Sequence, residues 1–212
     1  MIDLYTWSTP NGRKISIMLE ECNLEYNLKP INITKDEQFN ANFLEISPNN
    51  KIPAIVDHDN GVSMMESGAI LMYLSEKTKT FLPNSNEERW RRDEWIMFQM
   101  ASLGPMLGQV HHFVKFNAGK SIYAEERYSG EALRIYGVLE KRLNNSEYVA
   151  GNSYGIADIS IWPWVSRFEW QKIDLKKFPK ILEWYKKIAS REAVIRGYDV
   201  PSTGAEIPIP YK

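Results

Sequence analysis

The segment WSTPNGRK, residues 7–14, places Ser8, Thr9 and Asn11 between a strand-like run, Ile2–Tyr5, and a helical pattern. A helix start presents backbone N–H groups and the positive end of the helix dipole, so it favours an anion. Hydroxyl and amide donors supplement those groups here, and the segment contains no cysteine, histidine or acid. Such a junction can stabilise an anion but offers no thiol of its own and no carboxylate or imidazole base.

Two other stretches carry potential chemistry. In MMESGAILMYL, residues 64–74, Glu66 and Ser67 fall where a strand gives way to a helix. Ser67 can cap that helix, which is a purely structural role. The same pair suits an α-amino acid end: a carboxylate on the Ser67 hydroxyl and nearby N–H groups, an ammonium beside Glu66. In SPNNKIPAI, residues 47–55, Pro53 stands just before a strand. A trans proline is common there. A cis Ile52–Pro53 bond would instead turn the Ile52 N–H and C=O outward, ready to pair with an extended ligand.

The elements that must position these residues follow from periodicity. Asn11–Cys22 reads as a helix with Ile15, Met18 and Leu19 on one face. A second strand is expected over Tyr26–Ile33 and a short or irregular helix over residues 35–46. Ala54–Val56 and Val62–Met65 read as strands joined at DHDNG, since Asn-Gly favours a tight hairpin turn. Ser67–Lys77 completes a βαβαββα order with parallel and antiparallel pairing. This predicts an α/β domain over residues 1–80, a linker over 81–86, an all-helical domain over 87–200 and an extended tail over 201–212. Helices are expected over 87–116, kinked at Gly104-Pro105, and over 121–145, 155–172 and 178–190. In the last part of that region Gly155 can act as an N-cap with Asp158 reaching back, and Tyr154 and Ile159 form a hydrophobic staple. Six of seven tryptophans lie in the helical half and are expected to pack in the core or at an interface.

Composition narrows the function classes. The 212 residues carry 43% hydrophobic and 25% charged side chains with a net charge of −1, ordinary values for a globular protein. That balance argues against a nucleic-acid or membrane-surface partner, which needs a basic excess. No apolar run approaches the ~20 residues of a membrane span, and the N-terminal segment lacks the pattern of a signal peptide. The single cysteine, Cys22, excludes an intramolecular disulfide, fits a reducing compartment such as the cytosol, and is expected to pack as a small side chain. His111 and His112 are adjacent on a helix and diverge by about 100°, so no metal is expected.

Taken together, STPNGRK, SPNNKIPAIVD, ESGAILMYL, LGPMLGQVHHF, YAEERY and ADISIWPWV resemble, in this order, the cytosolic glutathione transferase superfamily. They are most similar to its nu class of bacterial glutathione-dependent disulfide-bond oxidoreductases, related to a yeast nitrogen regulator. The resemblance implies a thioredoxin-like domain with cis-Pro53, a helical domain and a homodimer in the cytoplasm. It implies glutathione, reduced or oxidised, as co-substrate, with its γ-glutamyl end at Glu66 and Ser67 and its cysteinyl backbone on Ile52. It places Thr9 and Asn11 near the sulfur as the catalytic pair, and gives Gln38 and Arg127 a share in holding the tripeptide. Tyr123 and Tyr128 flank Arg127 and are equally compatible with packing.

Two positions depart from the pattern. Gly155 replaces the Ser or Thr of many relatives, at a cost of only about a few tenths of a kcal/mol. Ser8, beside Thr9, could compete for the sulfur. The expected chemistry is disulfide reduction by a glutathione thiolate. Conjugation of glutathione to an electrophile uses the same thiolate, with an open polar site favouring the first and an apolar pocket the second. A non-catalytic glutathione-binding regulator is a third possibility. The yeast regulator's long N-terminal extension has no counterpart before the first strand, which disfavours that mode.

Overall fold

The computed structural model describes residues 1–210. In chain order its elements are β1 (Ile2–Thr6), α1 (Pro10–Glu21), β2 (Tyr26–Pro30), α2 (Ala41–Ile46), β3 (Ala54–Asp57), β4 (Val62–Met65), α3 (Ser67–Thr78), α4 (Asn86–Phe98), α5 (Gly104–Val110), α6 (Ile122–Leu143), α7 (Ile156–Val165), α8 (Pro179–Ala189) and α9 (Glu192–Tyr198). The described chain divides into two compact units, Met1–Leu82 with Ser190–Ile207, and Pro83–Ala189 with residues 208–210.

The first unit is thioredoxin-like. Its sheet runs β2-β1-β3-β4, with β1 parallel to β2 and antiparallel to β3, and β3 antiparallel to β4. Helix α1 is buried on every side from Gly12 to Leu19. That run includes the polar Arg13, Lys14 and Ser16, so α1 is a central helix rather than an amphipathic cover. It packs on α3 and on α9. The α9 contact is backbone to backbone: a Cβ at Gly197 would lie 2.6 Å from the Ile17 Cα, and Ser16 Oγ donates to the Gly197 carbonyl at 2.6 Å. This contact draws Ser190–Ile207 into the first unit, whereas the sequence reading carried the helical domain through to residue 200.

The strand order and types match the expected βαβαββα pattern, with local differences. Strand β2 stops at Pro30 rather than Ile33, because Asn32 caps a 3₁₀ turn over Ile33–Lys35 through the Thr34 N–H. A second 3₁₀ turn, Glu37–Phe39, precedes α2, so the irregular helix expected over 35–46 is three short pieces.

The second unit is helical. Residues 86–116 form α4 and α5 with π-helical turns at Gln99–Leu103 and His111–Phe116. The expected kink at Gly104-Pro105 is thus taken up by a widened turn directly before the proline, which lacks an N–H to donate. Helix α7 ends at Val165 and turns follow to Lys172, so the helix expected over 155–172 is shorter. Trp162, Trp164 and Trp184 are buried, while Trp90 is exposed. Residues 201–210 form neither helix nor strand, and the last two residues of the expected extended tail lie outside the described residues.

Asp158 anchors the start of α7. Its carboxylate accepts from Gly155 N at 3.1 Å, from Val149 N at 2.9 Å and from Trp184 Nε1 at 2.8 Å. Burial raises its pKa to about 6, against the lowering effect of these donors. Asp158→Ala would strand two buried donors and one part-buried donor and should cost about 3 kcal/mol in urea unfolding. The sign of the pH dependence is also fixed. A carboxyl with a raised folded pKa holds a proton that the unfolded chain releases, so its contribution favours folding as pH falls from about 6 towards 4. Wild type should therefore gain stability over that window relative to Asp158→Asn; parallel curves would contradict this.

Candidate functional site

Strand register brings the three chemically suggestive stretches to one end of the sheet. Tyr5 pairs with Ala54, and Ala54 with Met65. The residues just beyond this rung are Trp7–Asn11 after β1, Ile52-Pro53 before β3 and Glu66-Ser67 after β4. Neighbouring strands lie about 4.8 Å apart, so three segments distant in sequence share one sheet edge. Thr6 pairs with Pro30, which directs the segment carrying Gln38 from the same end. A packed cluster of Phe43, Ile52 and Ala54, with Tyr5, Trp7, Ile31, Ile33 and Ile46 against it, lies beneath these loops. Tyr5 belongs to it, with its ring centroid 6.2 Å from that of Phe43.

The start of α1 is held tightly. Thr9 is the N-cap, and its Oγ1 accepts from Gly12 N at 3.1 Å. This leaves the Thr9 hydroxyl proton as a donor. Pro10 occupies the first turn, where its missing N–H costs nothing, and no acid stands in that turn. Ser8 Oγ accepts from Arg13 Nη2 at 3.0 Å, so this hydroxyl is engaged by the guanidinium. Arg13 itself is fully buried, donating through Nε to the Tyr198 carbonyl at 2.8 Å and lying 3.7 Å over the Tyr198 ring. Thr9 and Asn11 are half-buried.

The Ile52–Pro53 bond is cis and both residues are buried. Buried Ser47 closes the loop before them by donating to the Lys51 carbonyl at 2.8 Å. At the third segment Glu66 is exposed and holds φ 70°, ψ 107°, a backbone conformation that a side chain rarely adopts. Such strain, of order 1–3 kcal/mol, persists where the surroundings impose it and is frequent at ligand sites. Ser67 is buried, and its Oγ accepts from Lys14 Nζ at 3.1 Å. Lys14 is 1% exposed. The sequence reading did not single it out, because a lysine on a helix ordinarily reads as a solvated charge.

Gln38 lies in the Glu37–Phe39 turn, and its buried Oε1 has no hydrogen-bond partner among the described residues. Such an acceptor is a candidate for a ligand N–H. Arg127 is an exposed side chain on α6 in the second unit. Nearby on α6, Tyr128 stacks on Phe113 at 5.5 Å, whereas Tyr123 is exposed. His111 is buried, stacked 5.5 Å from Trp164, and burial followed by the Arg167 charge lowers its pKa to about 4. Among the described residues no three His, Cys, Asp or Glu side chains gather in a way that could hold a metal ion, and no helix is long and apolar enough to cross a membrane.

Comparison with known proteins matches residues 9–77 to the glutathione S-transferase N-terminal domain and residues 103–192 to the glutathione S-transferase C-terminal domain. The chain belongs to the glutathione S-transferase family. Within that family it is 50% identical over 198 residues to the disulfide-bond oxidoreductase YfcG of Escherichia coli, covering 91% of this chain and 92% of that protein. A glutathione transferase from Burkholderia graminis, solved with two glutathione molecules bound per subunit, superposes with a TM-score of 0.89 at 40% identity, over 96% of this chain and 89% of that one. A glutathione transferase from Pseudomonas putida, solved with one glutathione disulfide per subunit, gives a TM-score of 0.89 at 37% identity, over 95% and 92% of the two chains.

The turn into α1 tolerates only glycine at position 12. A Cβ there would lie 2.2 Å from the Trp7 carbonyl oxygen and 2.4 Å from Thr6 Oγ1. Gly12→Ala must therefore displace the loop that carries Ser8 and Thr9. A stability loss of about 1–3 kcal/mol is expected in urea unfolding; an unchanged midpoint would show that the loop relaxes freely.

Proposed function

We propose that this family member is a glutathione-dependent disulfide-bond reductase of the nu class, in which the sulfur is supplied by glutathione. The observation that carries this reading is the start of α1: a capped helix with hydroxyl and amide donors, no acid in its first turn and no protein thiol. The kinship with YfcG and with a protein solved around glutathione disulfide supports the same reading.

In this proposal the γ-glutamyl end lies at Glu66 and Ser67, the Ile52 backbone beside Pro53 pairs with the cysteinyl backbone, and Gln38 contacts the tripeptide. The role of Arg127 rests on the family resemblance alone. Thr9 and Asn11 stabilise the sulfur. A free thiol with a pKa near ~8.5 is only a few per cent ionised at pH 7. The helix terminus and two donated hydrogen bonds favour the anion, so the thiolate accumulates without a general base.

The thiolate attacks one sulfur of a disulfide substrate. A new S–S bond forms to glutathione, the substrate S–S bond breaks, and the departing thiolate takes up a proton. A second glutathione thiolate then attacks the mixed disulfide at the glutathione sulfur. The products are glutathione disulfide and two substrate thiols, a balanced two-electron exchange.

The protein is proposed to act as a cytoplasmic homodimer. Trp90 and Met97, exposed seven residues apart on one face of α4, are apolar surface of the kind a subunit contact covers. Glutathione conjugation is the second reading, since it starts from the same thiolate.

Turnover of 2-hydroxyethyl disulfide with glutathione should exceed conjugation of chlorodinitrobenzene on the same sample. Thr9→Ala and Asn11→Ala should each lower reductase kcat/KM by about tenfold or more, the value of a charge-assisted hydrogen bond. Thiolate absorbance of bound glutathione should show its pKa rising by about one unit in Thr9→Ala. Dominant conjugation would make the protein a general transferase. Glutathione binding without either reaction would make it a binding protein.

A further inference from the structure

One deeply buried charged group at the site is left unused by the mechanism above. Lys14 is 1% exposed on α1, and its ammonium donates to Ser67 Oγ at 3.1 Å, where Ser67, 6% exposed, opens α3. An ammonium has three protons to give and no lone pair, so at this contact the serine oxygen can only accept. The proton of the Ser67 hydroxyl must therefore point elsewhere. Its direction is set from beneath by Lys14, and its acidity as a donor is increased by the adjacent cation.

Burial opposes the charged form of this amine, and nearby negative charge favours it. Burial pushes the Lys14 pKa well below that of a free lysine, and the Glu66 carboxylate at the start of α3 pulls it back up in part. A buried cation of this kind is stabilised by any further negative charge brought close to it.

We propose that Lys14 is the positioning residue for the α-carboxylate of the γ-glutamyl end, aiming the Ser67 hydroxyl at it and supplying the buried counter-charge behind that hydroxyl. The inference rests on the reading that the γ-glutamyl end occupies Glu66 and Ser67. It adds a selectivity: the site discriminates for the carboxylate itself, and not only for the shape of the tripeptide.

The test compares calorimetric affinities for glutathione and for γ-aminobutyryl-cysteinyl-glycine, the same tripeptide without the α-carboxylate. Wild type should prefer glutathione by at least tenfold. Lys14→Met should shrink that preference at least fivefold while changing affinity for the analogue less than twofold. A general structural defect would weaken both ligands together, and that result would overturn the proposal, as would a preference that survives intact in Lys14→Met. A wild type with no preference would instead refute the placement of the γ-glutamyl end, and this inference with it. Should Lys14→Met fail to fold, the wild-type Lys14 ¹⁵Nζ resonance decides. It should move on titration with glutathione and stay in place with the analogue. Equal movement with both would overturn the proposal.

Discussion

The rung Tyr5–Ala54–Met65 is the constraint on which the site depends. Strand side chains alternate, so a slip of one residue in either pairing would exchange the faces of β3 or β4. It would also move Pro53 or Ser67 by about 3.3 Å along the sheet. The register is secured by what it buries: Leu4, Ala54 and Ile55 are fully enclosed. A hydrophobic requirement of the core therefore becomes a positional requirement of the polar loops. No loop residue needs to find its neighbours independently.

Helix α1 converts that placement into electrostatics. It carries two successive buried cations that point to different partners. Arg13 engages α9 through the Tyr198 carbonyl and ring, and reaches back to Ser8. Lys14 engages α3 through Ser67. Burying either charge is costly unless hydrogen bonds and opposing charge compensate. Both cations lie within the second turn, behind a helix start that already bears partial positive charge. The whole end of the helix is thus biased towards anions, and Thr9 and Asn11 act within that field.

Much of the arrangement was legible in the sequence, for definable reasons. The hairpin was marked by Asn-Gly, the helices by their apolar spacing, and the three polar stretches by falling at element boundaries. What escaped depended on contacts between distant residues. The seven-residue α9 offers Ala193, Val194 and Gly197 as its buried face, small residues with little periodic signal. Their meaning appears only when Gly197 meets Ile17. Lys14 escaped because nothing local shows that a helix will be enclosed on every side. The π-helical turns around α5 escaped because a proline announces a disturbance without specifying how the backbone absorbs it.

The return of Ser190–Ile207 to the first unit has a consequence for the order of assembly. A ribosome delivers all four strands of the sheet well before it delivers Gly197 and Tyr198. During that interval the faces of Arg13 and Ser16 that α9 will cover have no cover. At a synthesis rate of ~5–20 residues per second the wait is several seconds or more. The N-terminal unit therefore cannot be finished first, although it is nearly complete in sequence by Leu82. Its last structural segment, Ser190–Ile207, is made after Pro83–Ala189 of the helical unit, so the maturity of the site is tied to the synthesis of residues more than a hundred positions beyond the sheet.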